Sequence, residues 1–358
     1  MSAGIKRATI FDFPQNKQGA EVLPLDAYMV KKDIRTGGID LFSMEEREAY
    51  LKKFGNHCMS FSALQPGMRF FDMPGIGYIA FKQEWGQRFV LADPVCDVND
   101  RETIIREFLK DGKPTAFAQI SQGIAELLHN RFGYYSTQFG VETVIDLKNW
   151  DVKGKKKQVL RTSMNHARKD GVYFKEEYAG NGYKELTKEW IKTRKVKNRE
   201  IGFLIRPMQM DYENGTRKFY AYMGEEVIGL IYFDPVYEDG RVISYVPNIS
   251  RFSPKFKQGI FYPIMLHAMD IFKTEGVRHI HLGLSPMVVD GNDNYYESSI
   301  VKKIVRVLFK YGNYLYNFKG IHFTKSRFQG KDYKTFCSHK KRLPAREFIT
   351  MFKLANII

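Results

Sequence analysis

Three residues in the second half of the sequence are of types that could carry out group transfer. Glu200 lies beside the basic run at residues 194–199 and could orient an incoming amino group or act as a base. Arg251 follows a predicted strand, where a guanidinium group could hold a phosphate or a carboxylate. Ser285 ends another predicted strand, where backbone N–H groups could face a developing oxyanion. We interpret Glu200, Arg251 and Ser285 as candidate catalytic residues.

Two of these residues also have a purely structural interpretation. Glu200 could form a local ion pair worth less than about 1 kcal/mol, and Ser285 could belong to a turn that ends its strand. Ser285 is not predicted as a nucleophile, because no histidine base or orienting carboxylate can be assigned to it. The predicted chemistry is direct transfer without a covalent intermediate on the protein, with positioning and charge stabilisation supplying most of the acceleration.

A second group of polar residues is predicted to bind substrate. Arg161 and Asn165 lie four residues apart, which places them on one face of a predicted helix, where they could clamp a phosphate. The alternative is a helix that packs on the sheet and leaves its charges in solvent.

Cations and aromatic residues alternate in residues 314–328, which we predict to be extended. Lys319, Lys325 and Arg327 accompany three phenylalanines in this segment, a pattern that suits the end of a nucleic acid or a phospholipid headgroup. Strand alternation would place Lys325 and Arg327 on the same face, so we predict a directed basic patch. The alternative is an amphipathic strand whose aromatic residues face inward.

The positive charge of the chain is concentrated in its second half. The 358 residues carry a net charge of +16, yet residues 1–150 hold 18 Lys/Arg against 19 Asp/Glu, whereas residues 151–358 hold 38 against 21. This asymmetry predicts an anionic partner such as a nucleic acid, an anionic membrane surface or a phosphorylated substrate. The alternative is a solvated basic face. Basic runs at residues 153–157 and 340–342 favour peripheral electrostatic contact with a membrane.

Several classes of protein are disfavoured by what the sequence lacks. The three cysteines form no CxxC pair, which fits a reducing compartment. His279 and His281 have no further ligand at suitable spacing, so no metal site is predicted. Walker A, GxSxG and GxGxxG motifs are missing. With no signal-like N-terminus and no apolar run near 18 residues, we expect a cytoplasmic protein that binds the inner face of the membrane at most peripherally.

The order of predicted elements favours a mixed α/β fold. Residues 43–54 are predicted to form a helix with a capping box at Ser43. The order β-β-α-β-α-β follows within residues 1–150 and begins with a strand at 77–81. Residues 151–358 repeat a similar order of hairpin, strand, helix, strand and helix, with strands at 217–223, 227–235, 241–247 and 278–284 and the long helix at 259–275. The polar segment 148–157 is the predicted boundary between the two domains. This order is that of the acetyltransferase (GNAT) fold, so the halves suggest a tandem of that fold, with a basic C-terminal catalytic domain.

The turn before the longest predicted helix argues against coenzyme A as a cofactor. Acetyltransferases hold the coenzyme pyrophosphate on a glycine-rich turn at a helix N-terminus. Here the turn retains only Gly259, while Phe256 and Phe261 stand where a polar and a small residue are expected. Bulky side chains at these positions would block close approach of the backbone. We therefore predict no coenzyme A and no other cofactor.

Several motifs, in order, resemble the soluble catalytic region of phosphatidylglycerol lysyltransferases, a family with tandem acetyltransferase-like domains. They cover roughly residues 70–346 and include Trp190. The remaining motifs are 91–95 (LADPV), 140–147 (GVETVIDL), 154–171 (GKKKQVLRTSMNHARKDG), 200–203 (EIGF), 248–251 (NISR), 282–286 (LGLSP) and 318–328 (FKGIHFTKSRF). Each motif is short, and their shared order and spacing carry the resemblance.

The resemblance implies transfer of an amino acid from aminoacyl-tRNA to a lipid hydroxyl or a similar acceptor. It implies tRNA and anionic phospholipid headgroups as partners, in agreement with the basic half. Two departures bear on the substrate. Asn248 stands where the family usually has Asp, so the resemblance implies that Asn248 binds the transferred group, and the neutral side chain puts lysine as that group in doubt. Val141 stands where the family usually has Glu. An acyl thioester donor, or a non-catalytic RNA- or membrane-binding protein of the same fold, remain the alternatives.

Overall fold

One mixed β-sheet runs through both halves of the chain. The computed structural model describes residues 36–176, 182–193, 200–256, 259–289, 296–311 and 317–357. The strands in this part of the chain are β1 Gly38–Ile39, β2 Arg69–Met73, β3 Gly77–Glu84, β4 Gln87–Leu91, β5 Val95–Cys96, β6 Thr115–Ile120, β7 Tyr135–Asp146, β8 Val172–Glu176, β9 Arg217–Met223, β10 Glu226–Glu238, β11 Arg241–Phe252, β12 His279–Pro286 and β13 Lys331–His339.

Helices cover the faces of this sheet. Those in the described residues are α1 Met44–Phe54, α2 Arg101–Leu109, α3 Gln122–Phe132, α4 Gln158–Lys169, α5 Tyr183–Lys192, α6 Phe261–Thr274, α7 Ser299–Tyr311, α8 Phe318–Ser326 and α9 Ala345–Leu354. Helix α1 begins at Ser43 with a capping box, in which the Ser43 hydroxyl accepts from the backbone N–H of Glu46 while the Glu46 carboxylate accepts from that of Ser43. The sequence predicted this cap, and the structure confirms it.

The sheet order joins the two halves at its centre. The strands follow one another as β1-β2-β3-β4-β6-β13-β7-β12-β11-β10-β9-β8, and β5 pairs with β3. Strand β13, near the end of the described chain, therefore lies between two first-half strands, and β7 pairs directly with β12 of the second half. The division at residues 1–150 and 151–358 stays a prediction, but the sheet itself is continuous across it.

Strands β11 and β12 separate after a short parallel pairing. Only Ser244 with His279 and Tyr245 with Ile280 are paired in the described structure, although β11 continues to Phe252 and β12 to Pro286. Gly283 adopts a φ of +71°, which favours glycine, and the register of β12 against β7 shifts between His281 and Leu284. Beyond these two pairs, β11 and β12 do not hydrogen-bond to each other in the described structure. We call this unpaired stretch between the two strands the gap.

The largest hydrophobic cluster draws on both halves of the chain. Leu51 and Phe61 from the first half pack in the same cluster as Phe203, Val236 and Met351 from the second. A separate cluster fills the space between α6 and one face of the second-half strands, and a third lies under α5 on the opposite face. Because the halves share a core, residues from either half can contribute to one site.

The extended conformation predicted for residues 314–328 is wrong where the structure describes it. Residues 318–326 form helix α8, which begins at Asn317, whose side chain accepts a hydrogen bond from the backbone N–H of Gly320 at 3.2 Å. Residues 314–316 lie outside the described part. The aromatic content favoured a strand, but strand propensity depends strongly on tertiary context. The same-face argument for Lys325 and Arg327 fails with it, because two helical positions diverge by about 200° around the axis.

Strand β11 is longer than the sequence predicted. We expected it to end at Pro247, so that Arg251 would follow the strand. The strand instead continues to Phe252, and Arg251 pairs with Leu230 of β10. A register shift against β10 falls between Pro247 and Ile249, so that Asn248 occupies a bulge. The bulge accommodates Pro247, which has no N–H to donate to a regular ladder.

Candidate active site

Lys325 of α8 contacts the end of β12. Its ammonium group donates a hydrogen bond to the backbone carbonyl of Leu284 at 2.7 Å. The side chain is half-buried, and burial of the charge lowers the pKa of Lys325 to about 8, although Glu142 and Cys58 oppose that shift. Lys325 thus lies beside the stretch where β12 no longer pairs with β11, and its substrate-binding role stays a prediction.

A cluster of Cys58, Glu142 and His281 lies near Lys325. His281 Nδ1 is 3.0 Å from a carboxylate oxygen of Glu142. Burial opposes ionisation of Glu142, but its electrostatic interaction with His281, with smaller contributions from His57 and Cys58, outweighs that effect and lowers the pKa of Glu142 to about 2. Burial raises the pKa of the Cys58 thiol. A thiol with a raised pKa is a poor nucleophile at neutral pH.

The same three side chains form the one group that could hold a metal ion in the part of the chain described. Their ligand atoms all lie within 4.8 Å of one another. The Lys325 ammonium group interacts electrostatically with both Glu142 and Cys58, and this positive charge disfavours a bound cation there. No sequence signal points to this cluster, because residues 58, 142 and 281 are far apart in the chain and His281 was paired only with His279.

Arg251 and Glu200 form an ion pair. The two side chains are 3.0 Å apart, with 5% of the Arg251 side chain exposed and 33% of the Glu200 side chain. The guanidinium group lies 3.8 Å from the ring centroid of Trp190 on α5, a distance typical of a cation–π contact. The backbone carbonyl of Glu200 accepts a hydrogen bond from Asn356 at 3.1 Å. The structure therefore holds the Glu200 carboxylate in place while leaving part of it accessible.

This arrangement alters how the two predicted catalytic residues relate. The basic residues at 194–199, expected to surround Glu200, lie outside the described residues. Arg251 was expected to meet a phosphate or carboxylate of the substrate, whereas its carboxylate neighbour in the structure is Glu200. A substrate contact by Arg251 stays a prediction. The geometry makes Arg251 a positioning residue for Glu200.

Asn248 belongs to a buried polar chain that crosses between the halves. Its amide group donates to the Ser62 hydroxyl, and Ser62 donates to Asp234 at 2.9 Å. Asp234 in turn accepts from Arg206 at 2.8 Å. The other amide atom, Oδ1 of Asn248, is buried and has no hydrogen-bond partner among the described residues. A ligand that donates a hydrogen bond would satisfy this acceptor.

One turn of the first half contacts both β11 and β12 beyond the point where they stop pairing. Cys58 belongs to the cluster with His281 of β12, and Ser62, four residues later, holds Asn248 of β11. The intervening residues form turns and the start of a 3₁₀ helix, Ser62–Leu64. The gap between β11 and β12 is thus faced by polar groups from both halves of the chain, which sequence reasoning about the second half alone missed.

The other predicted site residues are more dispersed. Arg161 donates to the backbone carbonyl of Gly154 at 2.9 Å and also to that of Val152, so its guanidinium group holds the segment before α4. Asn165 on the same helix and Lys319 on α8 are exposed. Arg327 stacks on Phe323 at 3.8 Å from the ring centroid. Their roles in binding stay predictions, and these contacts do not bring them together with the strand ends.

Ser285 is buried inside the sheet. None of its surface is exposed, and its hydroxyl has no hydrogen-bond partner in the described structure. The residue pairs with Val141 of β7, so its backbone belongs to a strand ladder. Its predicted role in facing an oxyanion stays a prediction.

The separated parallel strands, the long helix α6 after β11 and the continuous mixed sheet define a mixed α/β protein with an acetyltransferase-like fold, as expected from the sequence. The family described as phosphatidylglycerol lysyltransferase, C-terminal, matches residues 48–339. The chain belongs to this family.

Similar proteins agree with this assignment. A phosphatidylglycerol lysyltransferase of Bacillus subtilis (strain 168) is 23% identical over 328 residues, which are 88% of this chain and 37% of that protein. The solved structure of L-PGS from Bacillus licheniformis superposes with a TM-score of 0.72 at 23% identity, covering 88% of this chain and 97% of that chain. The C-terminal domain of a putative lysylphosphatidylglycerol synthetase from Agrobacterium fabrum gives 0.65 at 19% identity, covering 86% and 92%.

These likenesses confirm the fold class and the family. This chain spans only a little over a third of the length of the curated relatives it matches. Within the described residues, no helix combines the length and the apolar character needed to cross a bilayer.

Proposed function

We propose that this protein is an aminoacyltransferase that moves an amino acid from aminoacyl-tRNA to a hydroxyl group of an anionic phospholipid. The observation that carries the proposal is the gap between β11 and β12, with the partly exposed Glu200 carboxylate held near the β11 end and the Lys325 ammonium group at the β12 end. Membership of the lysyltransferase family supports the lipid acceptor. The basic second half supports two substrates that carry phosphate groups.

The proposed reaction is a direct transfer. The acceptor hydroxyl oxygen attacks the ester carbonyl carbon of the aminoacyl-tRNA, the bond to the ribose oxygen breaks, and the hydroxyl proton ends on that ribose oxygen. Glu200 binds the ammonium group of the amino acid and so orients the ester. Lys325 places a positive charge beside the carbonyl oxygen as negative charge develops on it. Arg251 and Trp190 keep Glu200 in position.

The turn before α6 favours a tRNA ester over an acyl thioester of coenzyme A as the donor. Phe256 packs against the cluster beneath α6, and Phe261 lies against Phe252 and Phe328. These rings occupy the region where a glycine-rich turn would expose backbone N–H groups to a pyrophosphate. We therefore propose that no coenzyme A takes part.

The neutral side chain of Asn248 bears on which amino acid is transferred. Its free Oδ1 atom can accept one hydrogen bond but brings no negative charge. A neutral or a small polar amino acid suits this acceptor better than a lysine side chain, which would be desolvated without a counter-charge.

The test is a transfer assay with aminoacyl-tRNAs labelled in the amino acid, each offered with phosphatidylglycerol in mixed micelles. We expect label to enter the lipid fraction for at least one amino acid. Glu200→Gln should reduce this transfer about a hundredfold, whereas Glu189→Gln, which removes a surface ion pair with Lys255, should not change it. Tight tRNA binding without transfer of any amino acid would instead identify a non-catalytic RNA-binding protein and overturn the proposal.

A further inference from the structure

Helix α7 exposes apolar side chains that the fold does not bury. Ile300, Ile304, Val307 and Tyr311 are 43%, 45%, 56% and 63% exposed. Their spacing of four, three and four residues places them along one face of the helix. Single exposed apolar residues are common on protein surfaces, but a row of four on one helix marks an interaction site. We call this row the α7 apolar face.

The opposite side of α7 is buried against the rest of the protein. Val301 and Val305 are buried in the cluster that joins the two halves. Lys302 is buried as well, and its ammonium group lies 3.1 Å from the Glu297 carboxylate, with neither side chain exposed. Packing therefore fixes the rotation of α7 about its axis, and the apolar face points outward as a consequence.

Positive charge borders the α7 apolar face. Lys303 and Lys310 are exposed and Arg306 is half-buried, while the helix sequence SIVKKIVRVLFKY contains no acidic residue. Apolar side chains on one face with lysine and arginine beside them are typical of helices that lie in the interface of a lipid bilayer. At 13 residues the helix is about 20 Å long, too short to cross a bilayer.

We propose that α7 docks this protein on an anionic phospholipid bilayer, with its apolar face inserted at the boundary between headgroups and acyl chains. Charge selects this occupant over a second copy of the chain. Two copies would bring the same cations together and add to the repulsion between chains of net charge +16, whereas anionic headgroups complement Lys303 and Lys310. This inference rests on the proposed function, because a protein that transfers an amino acid to a phospholipid must reach the membrane in which that lipid lies.

The position of α7 suits delivery of a lipid to the candidate active site. Helix α7 contacts β7, the strand that pairs with β12 at Leu284. Leu284 is also the residue whose carbonyl accepts the Lys325 hydrogen bond. Docking through α7 would bring the strand end that carries this contact close to the bilayer surface.

The test is binding of the full chain to vesicles, measured by co-sedimentation without tRNA. Vesicles of phosphatidylglycerol and phosphatidylcholine should bind the chain, and vesicles of phosphatidylcholine alone should bind it much less. Ile304→Glu should weaken binding at least about tenfold, because it places a charge among acyl chains. Ile349→Glu is the matched control, since Ile349 on α9 is 51% exposed but lies outside the α7 apolar face; it should bind as the unaltered chain does.

A second pair of changes tests the charge. Lys303→Gln combined with Lys310→Gln should remove most of the preference for phosphatidylglycerol and flatten the dependence on salt. Binding of Ile304→Glu at the level of the unaltered chain would overturn the proposal. So would a dimer of the unaltered chain, seen without vesicles, that Ile304→Glu dissociates. Because vesicle binding needs no tRNA, its failure and a failure of aminoacyl transfer are separate results.

Discussion

Two arginine–carboxylate pairs in this protein have the same chemistry but different surroundings. Arg206 and Asp234 are 2.8 Å apart and both side chains are completely buried, whereas Arg251 and Glu200 are 3.0 Å apart and the Glu200 side chain is one-third exposed. Arg206 also bonds to Glu213 at 3.3 Å, and Asp234 also accepts from Ser62. We call Arg206–Asp234 the closed pair, because both side chains are buried among protein atoms. We call Arg251–Glu200 the open pair, because part of its carboxylate is exposed.

This difference in exposure separates a pair that stabilises the fold from a pair that could bind substrate. A fully buried pair has no surface left for a substrate, so its effect is on stability. A carboxylate that is held but accessible can exchange water for a substrate ammonium group. Measurements at Arg206, Glu200, Asn248 and Lys325 test this distinction and the chemistry proposed for the site.

The largest effect is expected at the closed pair. Arg206→Met should lower the free energy of unfolding by about 3–5 kcal/mol, because it leaves Asp234 buried without its counter-charge. Urea unfolding measures this change. The double variant Arg206→Met, Asp234→Leu should recover at least half of the loss, since an apolar pair has no charge to desolvate. No recovery would show that the arginine is needed mainly for its packing.

The open pair should respond in the opposite way. Glu200→Gln should reduce aminoacyl transfer about a hundredfold, equivalent to about 2.7 kcal/mol, while the free energy of unfolding changes by less than about 1 kcal/mol, because the carboxylate is partly exposed. Transfer rates and urea unfolding are measured on the same preparation. A loss of stability as large as that of Arg206→Met would remove the distinction between the pairs.

Asn248 lies between the two pairs and tests the choice of amino acid. Asn248→Asp should raise transfer of lysine relative to alanine about tenfold, equivalent to about 1.4 kcal/mol, because it adds a negative charge where the Oδ1 atom is free of protein partners among the described residues. The measurement is competition between lysyl- and alanyl-tRNA. Asn248→Ala, which removes the hydrogen bond to Ser62 without adding charge, should leave the ratio unchanged.

The smallest effect concerns the pH dependence of transfer. Burial lowers the pKa of Lys325 to about 8, so its positive charge is present below that pH and is lost as the pH rises through it. The transfer rate, corrected for spontaneous ester hydrolysis, should fall several-fold between about pH 7 and 9. Lys325→Arg retains its charge over this range and should therefore lack the decline. The same decline in Lys325→Arg would assign it to another group.

Local patterns predicted most of the elements correctly. The structure confirms the capping box at Ser43, the strands predicted at 77–81 and 217–223 and the long helix predicted at 259–275, all of which follow from residue spacing and turn residues. Strands β8 and β13 were missed. The segment at α8 was assigned to the wrong class because aromatic residues fit a pleated surface as well as a helix face. The anionic partner predicted from the charge asymmetry stays a prediction.

The sequence by itself determined the class of fold, the family and the candidate residues Glu200, Arg251 and Lys325, because these follow from local periodicity and short ordered motifs. Only the tertiary structure decided what each residue contacts. Ser62 and Asp234 are 172 positions apart, and Lys325 meets a carbonyl 41 positions away. Such contacts arise from sheet order and a shared core, which local propensities do not encode. The accessibility of Glu200 and the closure around Asp234 are likewise properties of packing, not of residue type.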